Sequence, residues 1–305
     1  MAIRRSVVVL GSTASGKSDA AMAAAMQQPQ GSVHVIAADA MQVYRRMDIG
    51  TAKPTRQDQS VVTHHCVDIA EPSERYTVAR YVDDVAAARL TIAEAGAAEL
   101  VVGGTGLYVT AIVDGLNMPG EWPEIRAELE ANEDTEAMFA RLVSLDLEAT
   151  TKMEPNNRRR IIRALEVCLG SGVAFSSFGD GIGSFTPTDT TLIGLRWNRD
   201  ALRARIASRV ATMIEAGLVD EVRSLLDEAS GMSVTARQAL GYKEVIEHIE
   251  GRWSLDEAVT ATILRTQQFA IRQERWFRRD PRIQWVDVYE NPVEEVTPHV
   301  MAALA

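Results

Sequence analysis

Cysteine is scarce. Cys66 and Cys168 are the two in 305 residues, so no disulfide framework can hold the fold, and free thiols suit a reducing cytosol. Long apolar runs are missing as well: no stretch approaches the roughly 18 consecutive apolar residues of a membrane-spanning helix. The run Val7 to Leu10, behind Arg4 and Arg5, is far shorter than the apolar segment of an export signal. These absences lead to the expectation of a soluble cytoplasmic protein with no membrane partner. Basic residues are outnumbered, 32 Lys plus Arg against 42 Asp plus Glu, for a formal net charge of -10. That argues against a uniformly basic nucleic-acid binder and leaves room for a local basic cleft. No internal repeat is apparent.

What is present is enough apolar material for a sizeable core. With 46% hydrophobic and 24% charged residues, the length fits one large domain or a core carrying an insertion. Charge is arranged in blocks: net -8 over 111–150, +5 over 151–210, -6 over 211–260 and +4 over 261–282. The two basic blocks lie far apart in sequence and can converge in a fold.

The first third alternates short apolar runs with helical stretches. Val7 to Leu10, Val33 to Ala37 and Leu100 to Val102 read as strands; a helix is expected from about Lys17 and another over Val78 to Ala95. Strands separated by helices imply a parallel sheet, because parallel neighbours need crossover connections that cover both faces. Pro119, Gly120 and Pro123 punctuate a change to acidic helical segments, and Gly172 to Gly183 reads as a loop. The expected fold is therefore α/β, a P-loop NTPase-like doubly wound, mostly parallel sheet with a helical insertion domain. Its parts are 1–117 and 190–305 for the core and 118–189 for the insertion. Thr191 to Leu195 would be the strand that re-enters the core. Asp200 is a candidate cap for a helix with the stripe Leu202, Ile206, Val210 and Ile214, and Ser254 with Glu257 forms a capping box opening a helix to about Arg279.

Gly11-Ser12-Thr13-Ala14-Ser15-Gly16-Lys17-Ser18 fits the pattern G-x-x-x-x-G-K-[ST] between an expected strand and an expected helix. In such a loop the glycines let successive backbone N–H groups turn inward toward phosphate oxygens, aided by the positive end of the helix. Lys17 adds a full charge, and the Ser18 hydroxyl can ligate Mg²⁺ brought in by phosphates. The pattern points to a polyphosphate or diphosphate without saying which. An ordinary P-loop ATPase offers an apolar strand ending in Asp; here Leu100 to Val102 ends in Gly103, Gly104, Thr105 and Gly106. Asp39, after Val33 to Ala38, is the acid at a strand end near the loop. It can be a magnesium-shell carboxylate, as in a small-molecule kinase, or a general base.

A set of motifs in fixed order bears on that choice: GSTASGKS at 11, DAMQVY at 39, MDIGTAKP at 47, VGGTGLY at 102, NRRRIIRALEV at 157, QALGYKE at 238 and RQERW at 272. Together they resemble the bacterial tRNA dimethylallyltransferase (tRNA isopentenyltransferase) family over about residues 7 to 280. The resemblance implies that the P-loop holds the diphosphate of dimethylallyl diphosphate. The acceptor would be the exocyclic N6 amine of the adenosine just 3′ of the anticodon, in tRNAs reading codons that begin with U, with pyrophosphate released. Asp39 would accept the amine proton, while Thr13 and Arg209 contact the bridging and leaving oxygens. The base would be turned out of the anticodon loop into a channel. Matching RNA-contact positions are Asp39, Ala40, Met41 and Gln42, Thr105, and Arg126. In the insertion they are Arg159, Arg160, Ile161, Ile162 and Arg163; later come Gln238, Ala239, Leu240, Gly241, Tyr242 and Lys243. Mg²⁺ would be the cofactor, tRNA and dimethylallyl diphosphate the partners, and the chain a monomer.

Three positions depart from the family's pattern. Ser12 stands where Pro is usual, Ala40 replaces a serine near the acceptor, and Gln267, where Arg is common, is given no role. Nearer rivals remain the same chemistry on free AMP, ADP or ATP, or a P-loop small-molecule kinase. By spacing alone, Arg209 and the run Arg158 to Arg160 also fit exposed basic helix faces. Arg265, Gln268, Arg272, Arg275 and Arg279 make a stripe that suits RNA phosphates or a solvated face over Val259, Ile263, Ala270 and Phe277. His64, His65 and Cys66 do not complete a metal set, because neighbours on a strand point to opposite faces. The five tryptophans, Trp122, Trp197, Trp253, Trp276 and Trp285, read as packing residues.

Overall fold

The structure is a computed structural model and describes residues 5–179 and 183–305. Two compact units divide the chain: Met1–Val113 together with Phe185–Ala305, and Asp114–Ser184. These edges lie a few residues before the 118 and 189 expected from sequence. The Pro119-Gly120 punctuation falls inside the second unit, because the helix that closes the first part of the core already ends at Val113.

The first unit is built on six strands, β1 (Ser6–Gly11), β2 (Val33–Ala38), β3 (Thr63–His65), β4 (Ala98–Gly103), β5 (Thr191–Trp197) and β6 (Gln284–Val288). They pair in the order β3-β2-β4-β1-β5-β6, every pairing parallel. The four inner strands are runs of buried residues rich in Val, Ile and Leu, as strands covered on both faces must be. Alternation sorts them: Val8 and Leu10 face one core with Ile36 and Val101, while Val7 and Val9 face the other with Val35 and Leu100.

The helices α1 (Lys17–Met26), α2 (Arg56–Val61), α3 (Val78–Ala95) and α4 (Gly106–Val113) connect the first four strands to one another and to the second unit. In α1 the buried face is Ala20, Ala21, Ala24 and Ala25, small enough for close approach to the sheet. Thr77 caps α3 through its side chain, and Gly96 ends it with φ 65°.

The second unit contains α5 (Pro123–Ala131), α6 (Thr135–Leu145), α7 (Leu147–Thr151) and α8 (Arg158–Ser171) around Leu129, Met138, Leu142, Ile161 and Leu165. The loop expected over 172–183 holds a 3₁₀ turn at Phe175–Phe178, and its residues 180–182 lie outside the described residues.

After β5 come α9 (Arg199–Glu215), α10 (Leu218–Asp227), α11 (Val234–Arg237), α12 (Tyr242–Ile249) and α13 (Leu255–Phe277); α14 (Pro292–Leu304) follows β6. The cap of α9 is Asn198, two residues before the Asp200 expected from sequence. Its Oδ1 accepts from the Asp200 N–H at 2.9 Å, and Asp200 sits in the first turn, where its charge suits the helix dipole. The Ser254/Glu257 capping box of α13 forms as expected, and the helix ends at Phe277.

β1 is the point where the sheet reverses direction of growth, with β4 on one side and β5 on the other. The registers Leu10↔Gly103 and Ala38↔Gly103 bring the carboxyl ends of β1, β4 and β2 level. In open α/β sheets that rim is where a ligand crevice opens.

Candidate active site

The loop Gly11 to Gly16 leaves β1 and enters α1. Ala14 takes φ 60° and Gly16 φ 84°, and this left-handed geometry curls the backbone into a cradle. At Gly16 a Cβ would collide with the ring of Pro292, so both φ and space demand glycine there. The outer side of the cradle is held by side chains from β5 and α9. The Trp197 indole Nε1 donates to the Ser15 carbonyl at 2.9 Å, and Arg205 Nε donates to the Ala14 carbonyl at 2.9 Å with its guanidinium 4.5 Å above the Trp197 ring. Trp197, read from sequence as packing, is thus a hydrogen-bonding support of the loop.

Lys17 Nζ donates to the Ser12 carbonyl at 3.3 Å. Burial pushes its pKa from 10.5 down to about 8, aided by the nearby Arg209 cation and opposed by Asp39 and Asp19. Burial likewise lowers the Arg209 pKa, against the pull of Asp39 and Asp19. Neither cation forms an ion pair among the described residues. Two positive groups in mutual repulsion beside a phosphate cradle are a place for a multiply charged anion.

Asp39 stands at the end of β2. Its Oδ1 accepts from the Met41 and Gln42 backbone N–H groups at 2.8 and 3.3 Å, while Oδ2 accepts no hydrogen bond among the described residues. The next residue is fixed by the β4–α4 turn: the Ala40 N–H donates to Thr105 Oγ1 at 3.1 Å, and the Thr105 N–H to the Ala38 carbonyl. A cavity of about 1020 Å³ within this unit is lined by Thr13, Lys17, Asp39 and Arg209, with Ile49 and Phe269 among its apolar walls. It therefore joins an anion cradle, a carboxylate oxygen and an apolar surface.

One wall is the segment 42–56, whose ties were not read from the sequence. Buried Lys53 donates to the Tyr44 carbonyl, Asp48 Oδ1 and Asp68 Oδ1, each at 2.6 Å. Gln42 Nε2 donates to the Thr51 and Ala52 carbonyls at 3.2 Å. From α10, Glu221 accepts the N–H groups of Asp48, Ile49 and Gly50 and, at 2.6 Å, the Tyr242 hydroxyl. Gln273 of α13 makes a further tie: Oε1 accepts from the Thr13 N–H at 2.8 Å and Nε2 donates to the Gly104 carbonyl at 2.7 Å.

Several of the residues expected to contact RNA are buried in the structure. Ile161 and Ile162 are buried in the core of the second unit, because they fall on the inward face of α8. Ala239 and Tyr242 are buried too, and Gly241, also buried, serves as the N-cap of α12; only Gln238 and Lys243 of that run are exposed, with Leu240 between. Arg126 and Arg163 are half-buried and share Glu166, itself 1% exposed, at 3.3 and 3.1 Å. Arg159 and Arg160 are exposed, with no ion pair among the described residues.

On α13, Arg265 is drawn inward to the buried Glu244 carboxylate, whereas Gln268, Arg272 and Arg275, and Arg279 just beyond the helix, are exposed. Away from the crevice, His34 Nδ1 meets His65 Nε2 at 3.1 Å, His64 Nδ1 meets the Val62 carbonyl, and burial pushes the Cys66 thiol up to about 12. Among the described residues no three His, Cys, Asp or Glu side chains gather to hold a metal, and no helix is long and apolar enough to cross a membrane.

The IPP transferase family matches residues 42–280. The chain belongs to that family. Relatives extend the match over the phosphate loop: the tRNA dimethylallyltransferase 1 of Trichlorobacter lovleyi is 40% identical over 304 residues, 98% of each chain. The tRNA dimethylallyltransferase of Kineococcus radiotolerans is 44% identical over 288 residues, 92% of this chain and 90% of that one. Among solved structures, the full-length tRNA isopentenylpyrophosphate transferase of Bacillus halodurans is 34% identical, with TM-score 0.70 over 99% of this chain and 97% of that one. A eukaryotic dimethylallyltransferase acting on tRNA shares the fold with TM-score 0.82 at 24% identity, over 98% of this chain and 78% of its own.

Proposed function

We propose that this member of the IPP transferase family transfers a dimethylallyl group from dimethylallyl diphosphate to the N6 amine of the adenosine 3′-adjacent to the anticodon, in tRNAs reading codons that begin with U. The observation that carries the reading is that Lys17 and Arg209, neither of them in an ion pair among the described residues, line one cavity with the open Oδ2 of Asp39. In the reaction the allylic C1–O bond breaks, the N6–C1 bond forms, and pyrophosphate leaves with the electron pair of the broken bond. The N6 proton passes to Asp39 Oδ2. Oδ1, held by two backbone N–H groups, keeps the carboxylate aimed while Oδ2 works. Lys17 and Arg209 face the charge that grows on the leaving group, and Thr13 and Ser18 add hydroxyls at the same end.

A strand ending in Gly103-Gly104 where a kinase would offer Asp speaks against the nucleoside-triphosphate reading. Mg²⁺ fits as a cofactor that arrives with the diphosphate: Ser18 is exposed to the cavity, and a Mg²⁺ that keeps phosphate and water ligands needs one or two protein oxygens rather than a cage. Bound there, it would neutralise pyrophosphate as it leaves.

For the tRNA, the insertion 118–189 offers the exposed Arg159 and Arg160, and the core offers Gln238 and Lys243, as phosphate or base contacts. The protein is proposed to act as a cytoplasmic monomer.

The test is transfer of label from radiolabelled dimethylallyl diphosphate in Mg²⁺ buffer, with undermodified tRNA or AMP as acceptor. Label in tRNA is the expected result. Label in AMP alone, or phosphate transfer from ATP in place of prenyl transfer, would overturn the reading.

A further inference from the structure

The RQERW motif on α13 supplies a residue that the reaction as described leaves unused. Gln273 is 6% exposed, and both ends of its amide are engaged across very long sequence separations, with the Thr13 N–H on one side and the Gly104 carbonyl on the other. The two partners dictate the orientation of the amide. Oε1 must face the N–H and Nε2 the carbonyl, since a flipped amide would set donor against donor and acceptor against acceptor.

Space around the amide is cut to fit it. A Cβ on residue 104 would come within 2.5 Å of Gln273 Nε2, so Gly104 leaves the room the amide occupies. One turn on, the Trp276 ring fills the place a Cβ on Gly106 would take, and its Nε1 donates to Thr110 Oγ1 at 3.3 Å. Helix α13 is thereby locked to the β4–α4 turn at two successive levels.

That turn also leads to the proton acceptor. Thr105 follows Gly104, and its Oγ1 accepts from the Ala40 N–H, next to Asp39. A continuous path therefore runs from the phosphate loop at Thr13, through the Gln273 amide, to Gly104, Thr105 and Ala40. It also takes the Thr13 N–H out of the set that can point at phosphate, so Thr13 is left to act through its hydroxyl.

We infer that Gln273 is a positioning residue that sets the phosphate loop at a fixed distance from the Asp39 segment, so that the leaving oxygen and the proton acceptor are in register for transfer. This rests on the transfer reaction proposed above. A displacement of about 1 Å between reacting groups can cost on the order of 100-fold in rate, so a buried amide spanning the two halves of the site has leverage on turnover.

The experiment compares wild type with Gln273→Met, which keeps length and loses both hydrogen bonds, and Gln273→Glu, which keeps an oxygen toward Thr13 and loses the donor to Gly104. Transfer kinetics are read beside backbone amide spectra recorded with inorganic pyrophosphate, and melting confirms folding. The expected kinetic result is a kcat lower by 10-fold or more in both variants, with KM for tRNA within about threefold of wild type. In the spectra, pyrophosphate should move the amides of Thr13, Thr105 and Ala40 in wild type, but that of Thr13 alone in the variants. Should Gln273→Met fail to fold, Gln273→Glu carries the comparison. Wild-type kcat in a folded variant, or undiminished shifts at Thr105 and Ala40, would overturn the inference. If wild type shows no transfer, the spectra decide alone: shifts that reach Ala40 and vanish in the variants retain the Gln273 linkage while the transfer reading falls.

Discussion

The Trp197 indole Nε1 donates to the Ser15 carbonyl, so a side chain at the end of β5 fixes the curvature of the phosphate loop at the end of β1. The same ring carries the Arg205 guanidinium, whose Nε takes the neighbouring Ala14 carbonyl. With both carbonyls drawn outward, the Gly16 N–H can turn into the cradle, while the Ser15 N–H closes the turn by donating to the Ser12 carbonyl at 3.3 Å. Trp197→Phe keeps a ring for Arg205 and deletes one hydrogen bond. A loss of about 1 kcal/mol in stability is expected, and pyrophosphate affinity should fall about fivefold if the loop relaxes by the same energy. Thermal melting and calorimetric titration with pyrophosphate measure the two; unchanged affinity would show that the loop keeps its shape without this bond.

Lys17 gives the site a pH dependence with a definite sign. Its folded pKa, about 8, lies below its ordinary 10.5, so the free protein loses this charge as pH rises through about 8. Affinity for pyrophosphate should be highest below that point and weaken above it, with protons taken up on binding near pH 8. Lys17→Met should weaken binding about 10- to 100-fold at pH 7 and remove the inflection; the ionisation of pyrophosphate is common to both proteins and cancels in the comparison. For stability the sign is opposite. Between about 8 and 10.5 the unfolded chain holds a proton that the folded chain has released, so this group makes the protein more stable as pH rises through that window. Buffer-dependent calorimetry checks the proton uptake, and thermal melting of wild type against Lys17→Met across that window checks the stability trend.

Asp39→Asn separates aiming from proton transfer. The amide oxygen can still accept from the Met41 and Gln42 N–H groups, so the turn survives, while the basic oxygen is gone. Turnover should fall about 10²- to 10⁴-fold with pyrophosphate binding within a few fold of wild type. Near-normal kcat would take the base role away from Asp39.

Glu221 gathers three consecutive N–H groups of the 48–50 segment and the Tyr242 hydroxyl onto one carboxylate. Glu221→Ala leaves these donors without their acceptor and should cost about 1–3 kcal/mol, together with faster amide exchange at Asp48 to Gly50. Tyr242→Phe removes one donor of the four and is expected to have the smaller effect. Equal melting temperatures for wild type and Glu221→Ala would mean that Lys53 and Gln42 alone hold the segment.

How far the sequence carried these conclusions depends on the range of the signal. The loop at 11–18 is a contiguous pattern between a short apolar run and an alanine-rich stretch, so its place at the end of β1 could be read directly. The helix over Val78 to Ala95 was equally plain, having Thr77 at one end and Gly96 at the other. Strand β6 was not read, because Gln284–Val288 is a half-exposed edge strand; β3 entered only as the strand taken to carry His64 and His65, since Thr63–His65 is three residues with little apolar character. Sequence patterns also could not show that Gln273 meets Thr13, or Glu221 the amide of Ile49, because those pairs lie 260 and 172 residues apart and are made by side chains rather than by a local repeat. Spacing put Arg159 and Arg163 one turn apart on a helix, yet it could not distinguish a solvent-facing cation from one held by Glu166.

That distinction separates two arginines with similar sequence surroundings. Arg159 is exposed and has no ion pair among the described residues, whereas Arg163 is half-buried, contacts Glu166 at 3.1 Å and donates to the Pro119 carbonyl at 2.8 Å. Glu166 also accepts the Trp122 N–H at 2.9 Å, so Arg163 closes the start of the second unit onto α8. If Arg159 meets an RNA phosphate, Arg159→Ala should leave melting unchanged and weaken tRNA binding. The slope of log K against log salt should then drop by about 0.7–0.9, one released counterion's worth. Arg163→Ala should instead lower stability by about 1–3 kcal/mol, because a buried carboxylate loses part of its compensation while Arg126 remains. Any loss of tRNA affinity in that variant should then follow the loss of folded insertion rather than the salt slope. Binding isotherms at several salt concentrations, paired with melting curves, separate the two; an unaltered slope in Arg159→Ala would return Arg159 to the role of a solvated helix face.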